Sequence, residues 1–228
     1  MISRFATPWP VLVVLVFLPA CATPSRQPTD PLQAEAAVRE LLVQAAAGAA
    51  DRLGRPNGYY GDPRFRIPSP EPVARLEQGL RRYGLERYAD ELVRSMNRAA
   101  ETAMPAVKPV LLETARGIGL ADAVAIVGGG GDAATRYFRA HTENDLAVRI
   151  KPLVADATAR VGVLASYKRL LRKAAVFDRS LDLSRLDLDA YITREALAGL
   201  FIAMAEEERR LRANPVGSGV DMLQRMFH

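Results

Sequence analysis

Residues 193–212, TREALAGLFIAMAEEERRLR, decide the fold. Leu197, Leu200, Phe201 and Met204 recur at intervals of three and four, the period of an amphipathic helix with one apolar stripe. The stripe continues to Leu211 through Glu208, so a carboxylate stands where a core side chain is expected. A buried Glu208 must find a cation or a hydrogen-bond donor, or else hold its proton, because an unpaired buried charge costs several kcal/mol, and Arg66 and Arg98 are natural partners. A Glu208 at the point where the helix leaves the core is simply wet. Glu206 lies on the other side and can pair with Arg210 one turn on, so the acidic triplet 206–208 is not one functional unit.

Outward from that helix, apolar residues recur at three and four through the whole body, and runs of alternating β-branched residues are nearly missing. The expected fold is all-α, a single irregular bundle of short to medium helices. Asp30 caps and Pro31 opens a first helix that ends at Gly54. Residues 55–72, rich in proline and glycine, read as a loop. Helices are expected over 72–83, 86–103, 105–118 and 120–127. Past the run Gly128 to Gly131 they follow over 133–141, 143–160 with a kink at Pro152, 163–173, 193–212 and 220–227. Residues 180–189 alternate leucine with aspartate and are expected as loop with one turn.

The first thirty residues carry an address. Arg4 precedes the apolar run VLVVLVFL at 11–18, and Pro19, Ala20 and Cys21 follow at once, which is signal-peptide architecture. Eight residues reach only ~12 Å as a helix, well short of a ~30 Å hydrocarbon core, so this is no permanent span. Leu18-Pro19-Ala20-Cys21 resembles the bacterial lipobox, in which the signal is removed ahead of a cysteine that carries lipid. Cys21 is therefore the expected lipidation site. The alternative is ordinary secretory cleavage near Ala20, which leaves a free thiol. Ala22, where the enteric inner-membrane sorting pattern has Asp, implies the outer membrane, facing the periplasm. The chain then divides into a signal peptide at 1–20, a lipidated cysteine and proline-spaced tether at 21–30, and one helical domain at 31–228.

Composition sets the exclusions. The 228 residues are 49% apolar and carry one cysteine and two histidines, too few for a disulfide framework or a Cys/His zinc site. No metal and no cofactor are expected. The net charge of +5 is no nucleic-acid footprint over this length, so nucleic acid is not an expected partner. The expected partners are the membrane, through the anchor, and an envelope protein, peptidoglycan or an apolar ligand.

The order of motifs adds a resemblance. Phe65-Arg66-Ile67-Pro68 is followed by Ser95 to Glu101 (SMNRAAE), Gly130 to Phe138 (GGDAATRYF), Asp189 to Thr193 (DAYIT), Ala196 to Phe201 (ALAGLF) and Ala205 to Glu208 (AEEE). In this order they resemble a family of bacterial exported helical proteins catalogued as domain of unknown function 4197, over about Leu32 to the C-terminus. The resemblance implies an envelope location and a helical fold, and it carries no activity.

Candidate site residues come from polarity in apolar patterns. On helix 86–103, Asp90, Arg94, Asn97 and Glu101 share a side opposite Leu92, Met96 and Ala99. That side is either a solvated, salt-bridged face or a surface in which Asn97, Arg98 and Glu101 meet a polar ligand. The candidate ligand or partner surface is Arg66, Asn97, Arg98, Glu101, Asp132 and Glu208; no catalytic residue can be assigned. Glu101 with Glu208 could serve a carboxylate-based peptidoglycan hydrolase, the rival to a binding or scaffolding role. Gly128 to Gly131 ahead of a helix invite an anion, but no lysine and hydroxyl follow them, and Asp132 is expected to cap that helix. Tyr59 and Tyr60 could stack on a ligand or pin their loop. His141 is expected to be structural. The basic run in 166–173 could touch anionic headgroups or peptidoglycan, or be a solvated face.

Overall fold

Asp30 accepts a hydrogen bond from the Leu32 amide at 3.1 Å and Pro31 opens α1 (Pro31–Leu53), so the first cap forms where the sequence places it. The computed structural model describes residues 30–121, 123–175 and 186–214, and among these it contains seven helices and no strand. The signal peptide, Cys21, the expected helix at 220–227 and most of the leucine–aspartate segment lie outside the described residues. After α1 come α2 (Glu71–Arg82), α3 (Arg87–Gly117), α4 (Ala123–Gly128), α5 (Ala133–Val161), α6 (Val163–Ala174) and α7 (Leu188–Ala213). Among the described residues no helix is long and apolar enough to cross a membrane.

α1 is central, packing on α3, α4, α5 and α7. Its buried residues are small as well as apolar: Ala34, Ala37, Ala45, Ala46 and Ala49 let neighbouring helices approach, while Leu41, Leu42 and Leu53 fill the space between them. Full burial of each such leucine contributes about 1.5–3 kcal/mol. Ion pairs and hydrogen bonds fix the directions. Arg39 reaches the Ile118 carbonyl and Lys108 pairs with Asp51 at 2.6 Å, so α3 runs antiparallel to α1.

Three expected boundaries are corrected. α3 runs without a break through Pro105 and Pro109, where two helices were expected. Both prolines are exposed, while Met104, Val107 and Leu111 are buried on the core side. That packing outweighs the roughly 3 kcal/mol by which an interior proline disfavours a helix. α5 likewise continues past His141, because the Thr142 hydroxyl donates to the Phe138 carbonyl at 2.7 Å and stays inside the helix. α7 starts at Leu188 rather than 193, since the Asp187 carboxylate accepts from the Ala190 amide at 2.9 Å. Gly162, at φ 81°, ends α5 in the left-handed conformation that favours glycine, and α6 begins at the next residue.

Candidate binding face

The long loop between α1 and α2 is built against α3 and α7 by side chains that read as polar exceptions in the sequence. Asn97 is fully buried; its Oδ1 accepts from the Ile67 amide and its Nδ2 donates to the Ile67 carbonyl, each at 2.8 Å. The side chain thus pairs with the loop backbone as a neighbouring strand would. One turn on, Glu101 is 3% exposed, and its Oε1 accepts from the Tyr59 and Tyr60 amides, both at 3.2 Å, while Oε2 takes Arg98 at 3.1 Å. Tyr59 is buried and its hydroxyl donates to the Ala196 carbonyl of α7 at 2.8 Å. Burial, and then the Glu101 charge, push its phenol far above the ordinary tyrosine range. Gly199 makes room: a Cβ there would lie 3.0 Å from the Tyr59 ring and 3.3 Å from the Phe65 carbonyl oxygen.

Glu208 is buried, and its partners are not the arginines expected. Oε1 accepts from the Ala134 amide at 3.0 Å and from Arg212 Nε at 2.9 Å, and Oε2 from the Thr135 amide at 2.7 Å. Arg212, 9% exposed, also donates to the Val127 and Ile126 carbonyls at the end of α4. The first turn of α5 therefore does hold an anion beyond the glycine run, and that anion is the protein's own carboxylate. Asp132 occupies the N-cap position without a side-chain cap bond; it pairs instead with Arg136 and, at 2.8 Å, with Arg209. Glu206 pairs with Arg52 at 2.8 Å and with Arg64, and it is Glu207 that meets Arg210.

Two arginine–aromatic clusters form where the loop meets α1 and α3. Arg52 and Arg64 lie over Phe65, 4.7 and 5.0 Å from its centroid, and both are neutralised by Asp62 and Glu206. Hydrogen bonds from Arg64 hold the Asp62 carboxyl down at about 2. Arg66 and Arg94 lie over Tyr60 at 4.7 and 5.1 Å, and Arg66 Nε is fixed by the Tyr60 carbonyl at 2.8 Å. These two are exposed, and among the described residues neither has a carboxylate within ion-pair distance. Arg98, half exposed, flanks them with its charge already matched by Glu101.

A family profile described as Protein of unknown function (DUF4197) matches residues 29–228. The chain belongs to the DUF4197 family. No curated protein and no solved structure matches it.

In this DUF4197 protein the structure brings Arg66, Asn97, Arg98 and Glu101 together, and places Glu208 and Asp132 at the separate junction of α4, α5 and α7. Within the first group only Arg66 and Arg98 reach solvent; Asn97 and Glu101 are the supports beneath them. Tyr59 pins the loop, one of the two roles expected of the pair, while half-buried Tyr60 carries the guanidinium groups of Arg66 and Arg94. In the sequence Tyr60 reads as a ligand platform or a loop pin and Arg94 as a member of the polar side of its helix; no short-range signal joins them, because the loop must cross α3 to form the cluster. Arg212 could have been found, since it follows Glu208 at i+4. His141 is exposed, stacks on Tyr137 with centroids 4.0 Å apart, and bonds its Nδ1 to the Tyr137 carbonyl. In the basic run of α6, Arg169 pairs with Glu91 of α3, while Ser166, Tyr167 and Leu170 face the core.

Proposed function

We propose that this DUF4197 protein is a cell-envelope protein anchored by lipid on Cys21 at the outer membrane, facing the periplasm, and that its helical body binds an anionic partner without transforming it. One observation carries the binding role: Arg66 from the loop and Arg94 from α3 present two exposed guanidinium groups over Tyr60 that no carboxylate among the described residues pairs, beside a loop held in place by Asn97 and Glu101. Stacked guanidinium groups keep their N–H edges in fixed positions, which suits bidentate capture of carboxylate or phosphate. The lipid anchor is supported by the run at 11–21 alone. The hydrolase rival needs two carboxyl groups that reach substrate, and Glu101 and Glu208 both spend their oxygens on backbone amides and an arginine inside the fold.

The test is crosslinking in intact cells, together with sedimentation on purified peptidoglycan, comparing the parent with an Arg66→Ala/Arg94→Ala variant. The expected result is a crosslinked acidic protein, or retention on the glycan, that weakens with salt and is lost in the variant while its helical spectrum is unchanged. Binding that survives the double substitution refutes the assignment to this face. Release of a Cys21→Ser variant from the membrane fraction checks the anchor separately.

A further inference from the structure

The opposite end of α1 carries an apolar notch of about 600 Å³, formed where α4 lies against its first turns. Its walls include Pro31, Leu32, Leu120, Ala123 and Val124. Leu32 is 73% exposed and Val124 44%, two of the few large apolar side chains that the described residues leave to solvent. On the rim Glu35 pairs with Arg39 at 2.5 Å and exposed Asp30 accepts from the Leu32 amide, while exposed Arg116 lies in the last turn of α3 at this same end. An apolar patch whose rim carries charges of both signs suits the headgroup region of a bilayer.

The tether selects the occupant. Pro31, the residue at which the tether joins the bundle, is itself part of the notch. Ten residue steps separate it from Cys21, a reach of at most ~35 Å, so an acyl anchor at Cys21 keeps the notch near the membrane surface at all times. Two apolar side chains would not hold a free domain on a membrane. On a tethered domain they act at high effective concentration, which is enough to choose which end faces the lipid. From these observations we infer that the α1–α4 notch seats on the bilayer surface, with Leu32 and Val124 entering the headgroup region. The bundle then stands on end and the Arg66–Tyr60–Arg94 face points away from the membrane, roughly 35 Å above it, the length of α1. This inference rests on the lipid-anchor reading above.

The mature chain of that reading has no tryptophan, because Trp9 leaves with the signal, so an introduced tryptophan reports a single position. The full chain carrying Leu32→Trp, Val124→Trp or, on α7 outside the notch, Ile202→Trp is purified from membranes. Each is reconstituted into phosphatidylethanolamine–phosphatidylglycerol vesicles with brominated or ordinary acyl chains. Emission from positions 32 and 124 is expected to fall at least about twofold with brominated lipid, since a side chain ~5–10 Å into the headgroup–acyl boundary meets the bromines, while position 202 is unchanged. Intact mass of the same samples separates the two readings. Acylated Cys21 with no quenching at 32 or 124 overturns the seat and leaves the anchor standing. Blue-shifted but unquenched emission there overturns it in favour of a protein occupant, a second copy included. A chain without acyl mass overturns both.

Discussion

Exchanging each buried carboxylate for its amide distinguishes two arrangements that resemble each other in composition. At Glu101 both backbone donors meet the same oxygen, Oε1, so glutamine can leave its carbonyl oxygen in place and turn its NH2 group toward Arg98. What is lost is one bond to a half-exposed guanidinium and the charge assistance on two others, about 1 kcal/mol. At Glu208 the donors are divided between the oxygens, the Ala134 amide and Arg212 on Oε1 and the Thr135 amide on Oε2. In either orientation the new NH2 group faces an N–H, and Arg212 loses its ion pair with a fully buried carboxylate. Removing one partner of a buried pair costs about 3–5 kcal/mol. For a domain of this size that is a fall in Tm of roughly 10 °C, against only a few degrees for Glu101→Gln. Thermal and urea unfolding followed by far-UV circular dichroism measure both. Equal losses in the two variants, to within about 0.5 kcal/mol, would refute the assignment of donors to separate oxygens.

Asn97→Ala leaves the Ile67 amide and carbonyl unpaired in the core, so a loss of about 2–4 kcal/mol and faster proteolysis within residues 55–70 are expected; an unchanged cleavage rate would show that the loop is held elsewhere. Gly199→Ala would gain about 1 kcal/mol in an open helix, but here the added Cβ meets Tyr59 at 3.0 Å, and urea unfolding should show a net loss of about 1–3 kcal/mol. On the alkaline side, burial raises the phenols of Tyr59 and, to about 12, Tyr191, whereas unfolded tyrosines ionise near pH ~10. Their contribution is complete below that pH and is lost as pH rises from it toward the raised values of the folded state, because over that range only the unfolded chain readily releases the proton. Phenolate absorbance should therefore appear together with loss of helix, and Tyr59→Phe should flatten the slope. On the acid side, Asp62 contributes fully above pH ~4 and loses its contribution as pH falls toward about 2; a carboxyl NMR titration should move its midpoint upward in Arg64→Ala.

The helical class was legible because the period of 3.6 persists wherever a helix buries one side, as at Leu197, Leu200, Phe201 and Met204. Boundaries were less so. Proline at 105 and 109 opposes a helix locally, and only the burial of Met104, Val107 and Leu111 by other segments reverses the balance. The anomaly at Glu208 was visible as a polar residue on an apolar stripe, but its partners were not, because two of them are backbone amides, which sequence cannot distinguish from any others. For the same reason Asn97 and Glu101 read as members of a charged helix side, while their actual correspondents are peptide groups of Tyr59, Tyr60 and Ile67. Arg66 was legible as a candidate, but its neighbour Arg94 was not, since their juxtaposition depends on how the loop crosses α3.

The loop between α1 and α2 also sets an order of assembly. Its bonds to α3 span 30 to 42 residues, from Asn97 to Ile67 and from Glu101 to Tyr59. Its bonds to α7 span 123 residues from Tyr191 to Pro68, 137 from Tyr59 to Ala196 and 142 from Arg64 to Glu206. Contacts across such separations close late, because the intervening chain must first give up its freedom. A growing chain can lay the loop on α3 early, but its other wall arrives only with α7. The arginine-bearing surface is thus fully braced only on polypeptides synthesised through α7, so prematurely terminated products would expose a partly fastened loop to proteases before they could compete for the partner.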